Sequence, residues 1–369
     1  MEHGVNLIGY SRAEFGLGEA CRLAAKSLHS VGIPFCIINF PYSPSRQNDL
    51  TWQHKEVNEP IYKTNIFFIN ADQLYYHYRK KNLKRTWFLN RYNIGYWHWE
   101  LPEFPNAWVK SFHLVNEIWV PSTFTFQAIS KKSTKPVITI PHCMSFDPPV
   151  HLNRCNYGLP ENRFLFLTMY DIHSTSVRKN PMAVIQAFKQ AFKQDDHSVG
   201  LVLKINNHSH FPEEVELLKQ NILGYNNIFL IDKVFSRQEV NGLMNLIDSF
   251  VSLHRSEGFG LPLAEAMYLG KPVIATNWSG NIDFMNEQNA CVVDFTLKQI
   301  GQNYGPYSAN QYWAEPHTDQ AANFMKKLVQ DKEYANRIGI LGKETIMNKY
   351  SPQMIGNMYK SRLLQLELL

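Results

Sequence analysis

Two rhythms of apolar and polar positions alternate along this chain. Short apolar runs read as strands, and between them apolar residues recur at helical spacing. Val5 to Tyr10 reads as a strand. Glu19 to Val31 reads as a helix, with Ala20, Leu23, Ala24, Leu28 and Val31 on one face, stopped by Gly32-Ile33-Pro34. Phe35–Asn39, Ile66–Ile69, Asn93–Trp97, Glu117–Val120 and Val137–Ile140 are further strand candidates. Cys143 to Pro160, with Asp147-Pro148-Pro149, is rich in breakers and reads as a linker. The alternation then restarts. Strands are expected at Phe164–Tyr170, Val199–Ile205, Ile228–Ile231, Phe250–Leu253, Val273–Thr276 and Cys291–Val293. Helices are expected at Pro181–Phe192, Glu213–Ile222 and Ser236–Ile247, near Pro262, and at 317–330, 332–348 and 351–366. Ser236 and Glu239 have capping-box spacing. Strand-then-helix alternation predicts parallel, doubly wound sheets.

A chain of 369 residues is long for one core, so two domains are expected. With 44% hydrophobic and 19% charged residues it is a folded protein. The net charge of +5 is spread rather than clustered, which argues against a nucleic-acid footprint and suits anionic ligands or membranes. Five cysteines without CxxC or Cys/His spacing read as reduced thiols. Met1-Glu2-His3-Gly4 leads directly into the first strand, with no signal-peptide pattern, and no apolar run approaches ~18 residues. A cytoplasmic location is expected.

The segment with most chemistry is Ser256-Glu-Gly-Phe-Gly-Leu-Pro-Leu-Ala-Glu-Ala-Met267. Gly258 and Gly260 permit a tight turn and close ligand approach. Pro262 suits a first helical turn, whose free N–H groups suit a diphosphate. Glu257 and Glu265, eight positions apart, are expected to point toward one pocket. The segment resembles the E-x7-E signature of retaining GT-B glycosyltransferases, particularly glycosyltransferase family 4 (glycosyl transferases group 1). Gly270-Lys-Pro-Val-Ile-Ala-Thr276 is similar to the strand that follows it there. The resemblance covers most of the second half of the chain.

It implies an α/β GT-B fold: two Rossmann-like doubly wound domains facing a central cleft, with a C-terminal crossover helix. The expected division is 1–150 on the acceptor side, 151–350 for the nucleotide-sugar donor, and 351–369 as the helix returning to the first domain. Glu257 then holds the transferred sugar and Glu265 the ribose, while the backbone of Gly258, Phe259, Gly260 and Leu261 meets the diphosphate. The nucleobase is expected against backbone around Asp232–Val234, with Val234 in the donor pocket.

Three other segments are read alongside this one. Asp171 to Pro181 contains Arg178 and Lys179, where the family usually places an arginine and a lysine on the diphosphate. Lys179 matches; the arginine expected a few residues earlier is absent, with Ser174 near that place. Arg178, or Lys204 at the end of its strand, can supply the second cation, and either can instead be a solvated structural residue. Gly9 to Glu19 is similar to the family's glycine-rich first loop: Gly16 and Gly18 are expected near the donor phosphates, Arg12 and Glu14 near the acceptor. It can also be a turn without a ligand. In Gly95 to Pro102, His98 is the nearest match to a family histidine that contacts the sugar or acceptor, with Glu100 a second polar candidate; Trp97 and Trp99 can line a sugar face or fill the core. The basic and aromatic stretch Tyr75–Arg85 is either an amphipathic surface helix or a peripheral contact with the inner face of a membrane. No chemistry is assigned to Trp313-Ala-Glu-Pro316.

The resulting expectation is a retaining hexosyltransferase of surface-glycan biosynthesis. Its catalytic residues are Glu257, Lys179 and His98. Its donor is GDP-mannose or a UDP-sugar, and its acceptor a saccharide or lipid-linked saccharide. The leaving phosphate takes the acceptor proton, without metal or cofactor. The alternatives are a GT-B nucleotide-sugar epimerase, a GT-B phosphorylase, for whose lysine-bound cofactor no motif is seen, and a non-catalytic sugar-binding or scaffolding protein.

Overall fold

The computed structural model describes residues 3–43, 45–206 and 211–369; Met1 and Glu2, read above as leading into the first strand, lie outside them. The chain divides into two compact units. One comprises Met1–Ser145 with Asn348–Leu369, the other Phe146–Met347. The divisions fall a few residues before positions 150 and 350 read from the sequence.

The first unit carries strands β1 (Val5–Gly9), β2 (Phe35–Asn39), β3 (Thr64–Phe68), β4 (Tyr92–Tyr96), β5 (Glu117–Val120) and β6 (Val137–Thr139). They form one parallel sheet in the order β2-β1-β3-β4-β5-β6. The α-helices α1 (Gly16–Ser30), α2 (Ala71–Arg79), α3 (Arg85–Phe88) and α4 (Thr123–Ser130) lie in their connections. The strands are apolar because helices cover a parallel sheet on both faces. Among their buried polar residues, Asn6, Asn65 and Asn93 form a chain across β1, β3 and β4: Asn6 Nδ2 donates to Asn65 Oδ1, and Asn65 Nδ2 to Asn93 Oδ1, both at 2.8 Å.

The second unit carries β7 (Phe164–Asp171), β8 (Val199–Asn206), β9 (Ile228–Ile231), β10 (Ser249–Ser252), β11 (Val273–Thr276) and β12 (Cys291–Val293). Their parallel order is β12-β11-β10-β7-β8-β9. Its helices are α5 (Ser176–Lys179), α6 (Pro181–Ala191), α7 (Pro212–Ile222), α8 (Arg237–Leu246), α9 (Leu261–Tyr268), α10 (Thr318–Gln330) and α11 (Lys332–Lys349), whose last two residues are counted with the first unit. An antiparallel hairpin of β13 (Phe295–Gln299) and β14 (Tyr312–Pro316) follows β12 and was not anticipated. The sheet reverses its winding between β7 and β10, and open α/β sheets bind ligands beyond the strand ends at such a point. In the first unit the reversal lies between β1 and β3.

The last helix, α12 (Pro352–Gln365), packs on α1 in the first unit. Its Tyr359 meets Trp119 edge-on, and Arg362 Nε donates 2.9 Å to the fully buried Glu117. Two parallel α/β sheets and a returning C-terminal helix make up the expected GT-B architecture.

Candidate functional site

The ends of β7 and β10 bring together Arg178, Lys179 and Glu257. After β7 the chain turns through α5, whose flanks are strained: Thr175 has φ +68° and Asn180 φ +53°. A positive φ at a β-branched residue is unusual and persists only when its surroundings enforce it. Here Arg178 N and Lys179 N both donate to Thr175 O, and Asn180 Nδ2 reaches Leu253 O at 3.0 Å. The turn aims Arg178 and Lys179 at the loop after β10. Lys179 Nζ pairs with Glu257 Oε1, and Arg178 Nη1 lies 3.3 Å from Glu257 Oε2. Burial acts to raise the Glu257 carboxyl, but the Lys179 and Arg178 charges outweigh it and hold it at about 2. Glu257 is therefore an ionised, buried carboxylate at neutral pH.

Arg178 is not a solvated helix-start residue. It is 3% exposed and donates to Ser256 O at 2.7 Å and Ser174 O at 3.1 Å.

The Glu257 backbone is fixed from the loop after β11. Its N–H donates to Ser279 Oγ at 2.8 Å, and its carbonyl accepts from Gly280 N at 2.9 Å. Ser279 sits at φ +78°, and a Cβ on Gly280 would lie 2.3 Å from Gly258 O, so only glycine allows this approach. Gly260 caps α9 at φ +95°, with no side chain closing the helix start. Lys179, Glu257, Gly260 and Pro262 line one small hollow with Thr168 and Tyr170. His254, fully buried beside it, meets Ser252 Oγ at 3.1 Å and Asn281 Oδ1 at 3.0 Å. Burial lowers its pKa.

Glu265 does not line that hollow. It is 3% exposed and pairs with Arg237, the first residue of α8, whose guanidinium lies over Phe146. Sequence reading missed Arg237, because a cation at a helix start gives no sign of a partner 28 positions on. Lys204 is also buried; its ammonium donates to Ile205 O at 3.1 Å and to Asn206 Oδ1, and lies 5.0 Å over Phe235. Val234 is exposed in the loop after β9.

The first unit holds the remaining candidates. Arg12 pairs with Glu56, and Glu14 with Arg46 at 2.5 Å. Gly16 opens α1 with free space at its Cβ position. At Gly18 a Cβ would lie 2.1 Å from Ala13 O, so that glycine lets the loop fold back on its own helix. His98 follows β4, and Asn70 accepts its backbone N–H at 2.8 Å. Its Nε2 faces His142 Nε2 at 2.9 Å. Burial takes His98 down to about 4, and burial together with His98 takes His142 well below the ordinary range. Two neutral imidazoles facing in this way need one Nε2–H and one bare Nε2. Trp97 and Trp99 are core residues, at most 1% exposed. Glu100 is half-buried beyond them.

In the basic stretch, Lys80 lies over Tyr76 and Arg85 over Tyr78, while Lys84 pairs with Glu59. Among the described residues no helix is long and apolar enough to cross a membrane. No group of three or more His, Cys, Asp or Glu side chains among them is placed to hold a metal ion.

Comparison with known proteins locates this arrangement. Human alpha-1,3/1,6-mannosyltransferase ALG2 is 22% identical over 253 residues, which span 65% of this chain and 55% of that protein. Anabaena Alr3699/HepE, solved in complex with UDP and glucose, superposes with a TM-score of 0.71 at 13% identity, covering 99% of this chain and 100% of that one. Sucrose-phosphate synthase from Thermosynechococcus elongatus gives 0.69 at 14% identity, over 99% of both chains. These likenesses show the GT-B fold. The family model "Glycosyl transferases group 1" matches residues 156–345, more than half of the chain and nearly all of the second unit. The chain belongs to the glycosyl transferases group 1 family.

Proposed function

We propose that this protein is a retaining hexosyltransferase. It moves a hexose, mannose first and glucose next, from a nucleoside diphosphate sugar to a saccharide or lipid-linked saccharide. The observation that carries this reading is the ionised Glu257 carboxylate held between Lys179 and Arg178 at the β7/β10 reversal. A fixed carboxylate suits sugar hydroxyls, and adjacent cations suit a diphosphate. The relative that is a mannosyltransferase, and the similar fold solved with UDP and glucose, support the same substrate class.

In the proposed mechanism the α9 start and Lys179 receive the diphosphate, and Glu257 receives hydroxyls of the transferred sugar. Lys179 exchanges its carboxylate partner for phosphate oxygens and stabilises the charge that grows on them. Arg178 stays with the Ser174 and Ser256 carbonyls and keeps Glu257 aimed. Glu265, oriented by Arg237, takes the ribose hydroxyls, and Lys204 supplies a further cation. The acceptor oxygen bonds to the anomeric carbon on the face the phosphate leaves, and its proton passes to a departing phosphate oxygen. Configuration is thereby retained without a metal. On the first unit, the acceptor is met by the Gly16 region and His98, with Arg12, Glu14 and Glu100 nearby. The basic stretch makes peripheral contact with a membrane on the cytoplasmic side.

The test is thermal-shift screening against GDP- and UDP-sugars, since the true donor raises apparent stability by mass action. Incubation of the selected donor with saccharide acceptors follows, with the anomeric configuration of the product read by NMR. A product of inverted configuration, or stabilisation by no nucleotide sugar, refutes the proposal.

A further inference from the structure

Residues 294–316 have no part in the mechanism above, yet they grip its centre through Arg255, two residues before Glu257. Arg255 makes a fork-to-fork pair with Glu315 on β14, Nε to Oε2 at 2.9 Å and Nη2 to Oε1 at 2.8 Å. Its third nitrogen, Nη1, donates 2.7 Å to Val177 O in α5. Its backbone N–H donates 2.8 Å to Arg178 O, and its carbonyl accepts from Ala314 N at 3.0 Å. One residue thus joins the hairpin, the Glu257 loop and α5. The hairpin adds two contacts. Trp313 lies 5.4 Å beneath the Arg255 guanidinium, and Tyr307 lies 5.8 Å from that of Arg178. Lys298 on β13 also approaches Glu315, at 3.6 Å.

Such a clasp has a physical purpose. A helix of four residues has no stability of its own, and α5 is flanked by two residues in positive-φ conformations. Something outside must hold it against the Glu257 loop. The Arg255–Glu315 pair is bidentate and partly buried, with side-chain exposures of 16% and 31%, which sets it apart from a solvated surface pair.

We propose that Arg255 and Glu315 are positioning residues of the donor site: the β13–β14 hairpin clamps α5 so that Arg178 and Lys179 converge on Glu257. This rests on reading Glu257 and Lys179 as the donor centre. Neither clamp residue needs to touch the donor.

The test compares Glu315→Ala and Glu315→Gln with the wild type, using hydrogen exchange on the nucleotide-free protein and calorimetric titration with UDP and GDP. In Glu315→Ala the amides of 176–180 should exchange at least tenfold faster, and the nucleotide that binds the wild type should bind at least tenfold more weakly. Glu315→Gln keeps an acceptor for Arg255 and should recover part of both, and it serves alone if the alanine variant does not fold. Faster exchange confined to 295–316, or unchanged exchange at 176–180 in the folded variants, overturns the proposal. So does unchanged nucleotide affinity beside faster α5 exchange. If the wild type binds neither UDP nor GDP, the donor reading fails, and hydrogen exchange still decides whether the clamp holds α5.

Discussion

Replacing Lys179 by methionine removes one ammonium and nearly preserves side-chain volume. In the intact protein burial favours the neutral form of Glu257, yet Lys179 and Arg178 bring its carboxyl from 4.5 to about 2. At about 1.4 kcal/mol per pH unit, this corresponds to roughly 3 kcal/mol of stability at neutral pH. The folded-state pKa is depressed, so the contribution is complete above 4.5 and is lost as pH falls through 4.5 toward 2. In Lys179→Met the Arg178 guanidinium remains 3.3 Å from Oε2, so part of the contribution survives. The variant should lose about 1–3 kcal/mol at pH 7. The gap from wild type should narrow by about 1 kcal/mol at pH 3.5, where the unfolded carboxyl is already mostly protonated. Urea unfolding at pH 7, 5 and 3.5 measures both quantities. A deficit of equal size at all three pH values would mean that packing, not charge, is what the lysine supplies. Equal stability at pH 7 would refute the coupling altogether. Under the proposed mechanism the same variant should transfer sugar at least about a hundredfold more slowly, measured as release of nucleoside diphosphate.

Other perturbations test neighbouring parts. Arg237→Met leaves Glu265 buried without its guanidinium and should cost about 1–3 kcal/mol, read by thermal unfolding; an unchanged melting temperature counts against the pair. Gly280→Ala forces a methyl group against Gly258 O and should destabilise the protein by about 1–3 kcal/mol while weakening nucleotide binding. His98, taken to about 4 by burial, should stay neutral and give the rate no inflection between pH 5 and 8. Its depressed pKa makes its contribution to stability complete above 6.5 and lost as pH falls through 4, and a protonation midpoint near 6.5 by NMR would contradict this.

Strands bounded by strong breakers could be read from the sequence to the residue. Phe35–Asn39, Glu117–Val120, Ile228–Ile231, Val273–Thr276 and Cys291–Val293 all have the ends that their apolar runs indicate. The Ser236 capping box was equally legible, because both partners lie within four residues. The start of α1 was placed three residues late, since Gly16 and Gly18 carry no helical signal. The hairpin went unread because β13 is mostly exposed and shows the chain no apolar face. The same contrast holds at the candidate site. Glu257 and Glu265 stand in one short motif, whereas Arg237 finds Glu265, and Arg255 finds Glu315, only after the chain has folded. Arg178 is recognisable as a cation from sequence, but its burial against Ser256 O could not be foreseen.

The Glu117–Arg362 pair ties the order of synthesis to the order of folding. Glu117 is wholly buried, and its guanidinium partner lies 245 residues further along. A ribosome needs on the order of tens of seconds to cover that interval. Throughout it the nascent first unit carries a carboxylate with no cation to meet it and an α1 surface with no α12 to cover it. The second unit is encoded entirely within that pause. It can reach its native state while its predecessor waits, and of these two units the one whose translation begins earlier is the later to be completed.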